Sequence, residues 1–477
     1  MDAPLQNQTK PAERGAESPT TGMGLPPGPR GRRFRNLRER MLDFHGLMAR
    51  LHEQYGDIVF YRIPGQDCCA VFDADLIREF MTERYLSFPP FQDESSYGIM
   101  KTPGVFRIHG EAHLALHAVI DDAFSDEYMP FHTEIMLDHV RAARERWMPG
   151  SRVDARDEMA RLVTGVMQDS IFGREAKVDA RMAMDAIWAL KYDWALNRIP
   201  IRTSWLRALP IAPNRRRRNA VRAMDDVIYD AIRKARKAPE RGRDMISHFV
   251  RESERDDLKR LGILDTDEKI RDEVYTIALG NPDVPINALV YIVYYLSRNP
   301  DVRERTEHEA DKVLGNREVA ASDFDRLPYT RAVFLETMRI QPPAYASVAQ
   351  LRVTGEDVAL AGYRIPKGTM MHPCAGMPHR NPDYWDDPQE LRPARWLTDD
   401  EPGRSGCPAH AYMPFGLAPR RCPADRYSTV LFVLALASFA QRFRLEPVGG
   451  ERPRHEALGV GIQGPYHATV EARRKAF

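Results

Sequence analysis

The sequence of 477 residues has almost no net charge and no long apolar run. Its 69 Lys and Arg residues nearly balance its 68 Asp and Glu residues, which leaves a formal charge of +1. We therefore expect no nucleic-acid partner, because such binding depends on an excess of basic residues. No stretch reaches the roughly 18 consecutive apolar residues that a transmembrane helix needs, and the first residues lack the pattern of a signal peptide. These absences predict a cytoplasmic protein without a membrane anchor.

Cysteine is scarce as well. The chain has five cysteines, Cys68, Cys69, Cys374, Cys407 and Cys422. Their spacings do not match a zinc finger, and an odd count without a secretory signal favours a reducing compartment. The adjacent pair Cys68 and Cys69 stands in an apolar, strand-like run, so we expect two buried thiols there. Cys422 differs from the others in its surroundings.

Sequence periodicity predicts a mostly α protein with small β-sheets (α+β). Residues 1–25 are rich in Pro, Thr, Gly and Gln and are predicted to be a disordered tail, followed by a single domain over residues 26–477. Apolar residues at helical spacing predict helices over most of residues 110–340. Strand patterns at 57–72 and 350–372 predict small sheets near both ends. Individual helices are expected at 37–55, 178–196 and 267–299, and one more after Cys422.

The surroundings of Cys422 predict a metal ligand. The residue follows a loop that contains Gly and Pro, has two arginines just before it, and precedes the apolar stretch from Tyr427 to Phe439. A thiolate at the start of a helix is stabilised by the helix N-terminus and by nearby cations. An axial iron ligand needs this stabilisation of its charge.

The segment from Phe415 to Ala424 reads FGLAPRRCPA. It resembles the haem-binding loop of cytochromes P450, Phe-Gly-x-Gly-x-Arg-x-Cys-x-Gly, with Ala418 and Ala424 in place of the last two glycines. The resemblance continues in order along the chain from about Pro26. It implies a bacterial-type P450 without an anchor, in which haem b is bound by the Cys422 thiolate between a long central helix and a C-terminal helix, with Phe415 at the start of the binding loop.

Glu336 and Arg339 lie three residues apart on one predicted helix face. By spacing alone they would form an ordinary surface ion pair. The resemblance implies instead a buried Glu-x-x-Arg pair that binds a second arginine, here Arg395. Its role would be structural, because it would fix the segment that leads to Cys422.

Haem propionates are anions and need hydrogen-bond donors, preferably cations. The resemblance implies three donors, Arg420, Arg352 and His113, and it places His117 where an arginine is common. By their spacing alone, His113 and His117 could be two ligands of a zinc ion, but the sequence suggests no third ligand.

The predicted distal helix departs from the family pattern Ala-Gly-x-Asp/Glu-Thr-Thr. The acid of that pattern falls at Asp283, and the first threonine is replaced by Val284. In members that activate oxygen, the acid and the alcohol supply protons for O–O cleavage. Valine has no proton to donate, so the sequence leaves the use of O₂ open.

Two prolines interrupt the same helix in the segment Gly280-Asn281-Pro282-Asp283-Val284-Pro285. They either kink the helix or end one helix and begin another. In the kinked form, freed carbonyls and the Asn281 amide would contact a water molecule or a substrate group near Gly280.

The resemblance implies a monooxygenase of specialised metabolism that acts on a small, largely apolar metabolite. Electrons would come from a ferredoxin- or flavodoxin-type partner, and the protein would be a monomer. Three residues after the Glu-x-x-Arg helix are expected to line the substrate cavity, Ala346, Ser347 and Val348. One alternative is haem-thiolate chemistry without O₂, such as a peroxide-driven reaction, an isomerisation, or nitrene transfer from an N–O substrate. Another is a non-catalytic haem protein.

Overall fold

The structure, a computed structural model, describes residues 22–91, 99–176, 211–238, 242–280, 282–343, 350–397, 408–454 and 462–473, and a few single residues between 182 and 209. Most of the helix predicted at 178–196 lies outside these residues. The described chain already packs at its start, because the Arg364 N–H donates to the Gly24 carbonyl at 2.9 Å. The packed part therefore includes the last residues of the predicted tail.

The helices, in chain order, are α1 Arg33–Leu42, α2 Phe44–Tyr55, α3 Ala74–Arg78, α4 Gly110–Asp122, α5 Met129–Arg146, α6 Ala155–Phe172, α7 Ala212–Lys237, α8 Met245–Glu252, α9 Asp256–Leu261, α10 Asp267–Gly280, α11 Asp283–Arg298, α12 Pro300–Leu314, α13 Pro328–Ile340 and α14 Asp425–Ala440. A π-helical turn at Glu79–Glu83 follows α3, and 3₁₀ turns lie at Tyr85–Ser87, Ala321–Arg326, Pro378–Arg380, Pro393–Trp396 and Ala409–Ala411.

The strands are β1 Ile58–Ile63, β2 Gln66–Val71, β3 Arg152–Asp154, β4 Arg352–Val353, β5 Val358–Leu360, β6 Tyr363–Ile365, β7 Met370–Pro373, β8 Phe443–Pro447 and β9 His467–Ala472. One sheet has the order β1-β2-β7-β4, a second has the order β3-β9-β8, and β5 pairs with β6. In the first sheet β2 and β7 run parallel, and Arg352 of β4 pairs with Met371 of β7. The first sheet therefore joins residues 58–71 to residues 352–373.

The largest hydrophobic core lies among the helices between α4 and α14. Within it α14 packs against α5 and α13, and α11 packs against α6 and α13. The α14 helix is buried along nearly its whole length from Tyr427 to Ala440. A second cluster packs the first sheet against α3, Trp385 and Trp396. The predicted α+β class with a long apolar C-terminal helix is confirmed.

Two predicted helices are each divided in the structure. The helix expected at 37–55 breaks at Asp43, whose side chain accepts a hydrogen bond from the Gly46 N–H and so begins α2. The helix expected at 267–299 divides into α10 and α11. Pro282 lies just before α11 and Pro285 in its first turn, where a missing N–H removes no intrahelical hydrogen bond. The prolines therefore mark the start of a second helix.

Within the described ranges, no helix is long and apolar enough to cross a membrane.

Candidate functional site

Cys422 stands at the end of a tightly turned loop, three residues before α14. Its N–H donates to the Phe415 carbonyl at 2.7 Å, and Gly416 has a φ of 77°, which favours glycine. Part of the Cys422 residue is exposed, but its thiol is enclosed by the protein. Burial raises the pKa of Cys422 to about 11, although an N–H from Ala424 favours the thiolate. The protein alone therefore holds a neutral thiol at this position, and a bound metal cation would shift it to the thiolate.

The two arginines before Cys422 are each paired with other groups. Arg421 binds Asp121 at 3.2 Å and Asp425 at 3.1 Å. Arg420 donates to the Val105 carbonyl at 3.2 Å and to the Ile108 carbonyl. Burial, together with the charges of Asp425 and Asp121, raises the pKa of Cys422 by more than the nearby charge of Arg421 lowers it.

Arg352, which is buried, and Arg420, which is partly buried, form a cationic cluster beside the Cys422 loop, and the buried imidazole of His113 lies next to them. Burial and the charge of Arg420 lower the pKa of Arg352 to about 9, and the same two causes lower the pKa of His113 to about 2. Among the described residues, His113 Nδ1 and Arg420 Nε have no hydrogen-bond partner. Buried donors that repel one another electrostatically are a site for an anion. These residues fit the carboxylates of a haem.

His117 lies one turn beyond His113, with ring centroids 5.5 Å apart, but its nitrogens point to other partners. Nε2 is 2.8 Å from the Arg421 carbonyl, and Nδ1 is 3.1 Å from Asp121. Burial lowers the pKa of His117, but these two contacts outweigh it and raise the pKa overall. His117 thus contacts the Cys422 loop. Both of its ring nitrogens already have partners, so neither is left for the propionate contact that the sequence suggested.

Glu336 is the centre of a fully buried network. Arg339 donates to both carboxylate oxygens, at 3.0 and 2.8 Å, and Arg395 donates to one of them at 2.9 Å. The Trp396 indole and the Arg392 backbone N–H add donors at 2.8 and 3.0 Å. Glu336 and Arg339 have 0% exposure. The network joins α13 to the turn at 393–396, so these residues are in the structural position that the sequence suggested.

Asp283 and Val284 lie in the first turn of α11. Asp283 is 8% exposed, and its carboxylate is 3.6 Å from Arg156 at the start of α6. Val284 is half-buried. One turn later, Asn287 is fully buried and neither of its amide atoms has a partner among the described residues. The position at which the family pattern has a threonine hydroxyl is therefore occupied by the apolar side chain of Val284, and the polar side chain of Asn287 lies one turn further along α11.

Four predicted site residues, Asn281, Ala346, Ser347 and Val348, lie outside the described residues. Gly280 is the last residue of α10.

Sequence reasoning missed several residues of the site. Tyr85 lies beneath the Arg420 guanidinium, 5.4 Å from ring centroid to Cζ, and His109 Nδ1 is 3.5 Å from Arg420. Glu273 of α10 is buried beside Val105. Glu273 ends the charged first half of α10, just before the apolar run from Val274, so its sequence position alone did not distinguish it from an exposed acid. No local pattern predicted Tyr85, because its contact with Arg420 joins residues far apart in sequence.

Comparison with known proteins identifies the family. Residues 26–467 match the family model described as Cytochrome P450. Cyclooctat-9-en-7-ol 5-monooxygenase of Streptomyces melanosporofaciens is 28% identical over 426 residues, covering 88% of this chain and 89% of that protein. Pentalenene oxygenase of Streptomyces avermitilis is 25% identical over 421 residues, covering 87% and 88%.

Among solved structures, retinoic acid-bound cyanobacterial CYP120A1 superposes with a TM-score of 0.78 and covers 95% of this chain and 100% of its own, at 19% identity. This similarity shows the fold. The family match covers the Cys422 loop, the Glu336 network and the cationic cluster. The chain therefore belongs to the cytochrome P450 family and is a P450-type oxidoreductase.

Proposed function

We propose that the protein is a haem b monooxygenase that hydroxylates a small terpenoid. The observation that carries the proposal is the Cys422 loop, since it presents a single thiol at the start of α14 beside the cationic cluster. Two relatives are named as a monooxygenase of cyclooctat-9-en-7-ol and an oxygenase of pentalenene, and the terpenoid class in our proposal is taken from these names. We also propose that residues 26–477 form one catalytic domain that acts as a cytoplasmic monomer.

Cys422 would hold the iron, and Arg420, Arg352 and His113 would hold the propionates. A haem bound through a thiolate supplies one-electron and O₂ chemistry. The neutral thiol has to lose its proton when iron binds, and the N–H of Ala424 then faces a thiolate. The Glu336 network would keep the segment before this loop in place.

Oxygen chemistry needs a route for protons. Asp283 is the acid at the start of α11, and its partner Arg156 has a side chain that is 27% exposed, so the pair joins the helix interior to solvent. Asn287, one turn further on, has unpartnered amide atoms that suit a bound water molecule. We propose that Asp283 moves protons inward through water. Electrons would come from a ferredoxin- or flavodoxin-type donor.

A second candidate is haem-thiolate chemistry that does not use O₂. The observation in its favour is Val284, which puts an apolar side chain where oxygen-activating members have an alcohol. A substrate that brings its own leaving group, such as a peroxide or an N–O compound, would need no proton relay to O₂.

Turnover of the haem-loaded protein distinguishes the two candidates. The protein is incubated with terpene hydrocarbons and alcohols, with NADPH, a surrogate ferredoxin and its reductase, in air and under strict anaerobiosis. Product that requires both O₂ and reductase supports the monooxygenase. Product from a peroxide or an N–O substrate without O₂ or reductase supports the second candidate and overturns the first.

A matched pair of variants sharpens this experiment. In a monooxygenase, Asp283→Asn should lower turnover by about 10²–10⁴-fold, the usual contribution of a proton donor, whereas Val284→Thr should preserve turnover or improve the coupling of electrons to product. If the second candidate is correct, both variants should change anaerobic turnover by less than the factor expected for Asp283→Asn in a monooxygenase.

A further inference from the structure

Glu273 carries a buried carboxyl group with one oxygen left open. It lies in α10 and is 2% exposed. Oε2 accepts a hydrogen bond from the Val105 N–H at 3.0 Å, and Oε1 has no partner among the described residues. Burial raises the pKa of Glu273 to about 8, so the carboxyl is largely protonated at neutral pH. Such a group can both donate and accept a hydrogen bond.

The neighbouring acid, Asp272, has no such open position. Its carboxylate accepts from the backbone N–H groups of Lys101 and Thr102 at 2.8 and 2.6 Å, from the Thr102 hydroxyl at 2.8 Å, and it also binds Arg271. Asp272 therefore fixes the 99–108 segment to α10. Structural attachment is already complete without the free oxygen of Glu273.

Glu273 lies on the α10 face that continues toward the distal residues. Residues 273, 277 and 280 share one face at helical spacing, and Ile277 is half-buried. Glu273 and Gly280 are separated along the helix axis by about 10 Å, which a small terpenoid can span. The residue that Glu273 binds, Val105, also accepts from Arg420 through its carbonyl. The Glu273 carboxyl is thus next to the segment that contacts Arg420 of the cationic cluster.

The 99–108 segment approaches this face unusually closely. A Cβ on Gly104 would lie 2.3 Å from the Thr276 hydroxyl and 3.0 Å from Glu273 Oε2, so only glycine fits. The Thr276 hydroxyl donates to the Asp272 carbonyl at 2.9 Å and keeps acceptor capacity. The polar groups of Glu273 and Thr276 are therefore held close to each other where the 99–108 segment packs on α10.

We propose that Glu273 binds the hydroxyl group of a terpenoid alcohol substrate, at the end of the molecule remote from the carbon that is oxidised. This rests on the function proposed above and adds that the substrate already carries a hydroxyl group. A neutral alcohol suits the site better than an ammonium, because both it and the protonated carboxyl donate and accept without a buried charge. Such a substrate must have gained its hydroxyl group in an earlier reaction, either a hydroxylation or a cyclisation that ends with the addition of water.

The test compares farnesol with farnesene, a matched alcohol and hydrocarbon, by the change in the haem spectrum on binding to the haem-loaded protein. We expect wild type to bind farnesol about tenfold more tightly, as one buried hydrogen bond allows. Glu273→Leu should bring the ratio near one. Glu273→Gln should keep most of the preference, since its amide still donates to the alcohol. The control Glu268→Gln, on the exposed part of α10, should leave the ratio unchanged.

A ratio near one in wild type, or an unchanged ratio in Glu273→Leu, would overturn the proposal. If Glu273→Leu does not fold, difference infrared spectroscopy of wild type decides: the protonated carboxyl band should shift with farnesol and not with farnesene, and the absence of a shift means that Oε1 binds only water. Failure of the proposed function would appear separately, as haem-loaded protein that forms no product with O₂ and reductase.

Discussion

The protonation state of Cys422 depends on whether the residue binds a metal. Burial keeps its thiol protonated at neutral pH, so the ligand form arises together with metal binding. Cys422→Ser should abolish the ferrous–CO band that is typical of thiolate ligation, because a serine hydroxyl does not replace a thiolate. Absorption spectroscopy of the reduced, CO-treated protein checks this. Cys374→Ser, which changes a buried thiol of the first sheet, is the control and should keep the band.

Arg420 and His117 should contribute unequally to haem binding. Arg420 has a buried Nε without a partner, whereas His117 already binds Asp121 and the Arg421 carbonyl. Arg420→Ala should speed haem loss by roughly tenfold or more, as expected for a lost charge-assisted hydrogen bond, and His117→Ala should speed it less. Haem transfer to apomyoglobin measures both rates. The reverse order would show that His117, not Arg420, holds a propionate.

His117 should also make stability depend on pH. Its pKa is raised in the folded protein above the ordinary value of 6.5. A raised folded-state pKa stabilises below the unfolded pKa, and this contribution is lost as pH rises through the folded pKa. The difference in Tm between wild type and His117→Gln should therefore be larger at about pH 5.5 than at about pH 8. A difference that grows with pH would contradict the pairing with Asp121.

At the scale of elements, the Glu336 network joins α13 to the turn at 393–396. Its members are buried and fully paired, so removal of one leaves an uncompensated charge. Glu336→Ala should cost roughly 3–5 kcal/mol of unfolding free energy, and little haem-loaded protein should be recovered. Chemical denaturation and haem content measure the effect. The control Glu304→Ala, on α12 and unpaired with this network, should change stability little.

The sequence predicted most elements that local pattern determines. The helical region predicted up to residue 340 ends where α13 ends, at Ile340, and the position of α14 followed from its continuous apolar run. The division at Asp43 was missed because helical periodicity continues across a capping residue. The Glu336 partners could be named only through the family resemblance, since Arg395 lies 59 residues away in sequence. Glu273 was missed because its burial depends on the distant 99–108 segment.

At the scale of the whole molecule, the first sheet also attaches the N-terminal segment. The Phe60 N–H donates to the Pro27 carbonyl at 2.8 Å, and Gly28 lies so close to Phe60 that a Cβ would clash. Deletion of residues 1–21 should leave Tm unchanged, whereas deletion of residues 1–29 should lower it, because two backbone hydrogen bonds to the sheets are lost. Thermal unfolding compares the two. Equal Tm values would show that the segment contributes nothing to stability.

The separation of α10 from α11 has a consequence for the electric field in the distal region. A continuous helix would have its dipole ends far from Gly280, but here α10 ends at Gly280 and α11 begins at Asp283. The partial negative charge of the α10 C-terminus and the partial positive charge of the α11 N-terminus are therefore separated by only two residues in sequence. The two helix ends alone would favour a polar bond with its electropositive atom toward α10 and its electronegative atom toward α11, and a charged Asp283 side chain in the first turn of α11 would oppose this preference. The direction of the field at this helix boundary therefore depends on the two helix ends and on the Asp283 side chain together.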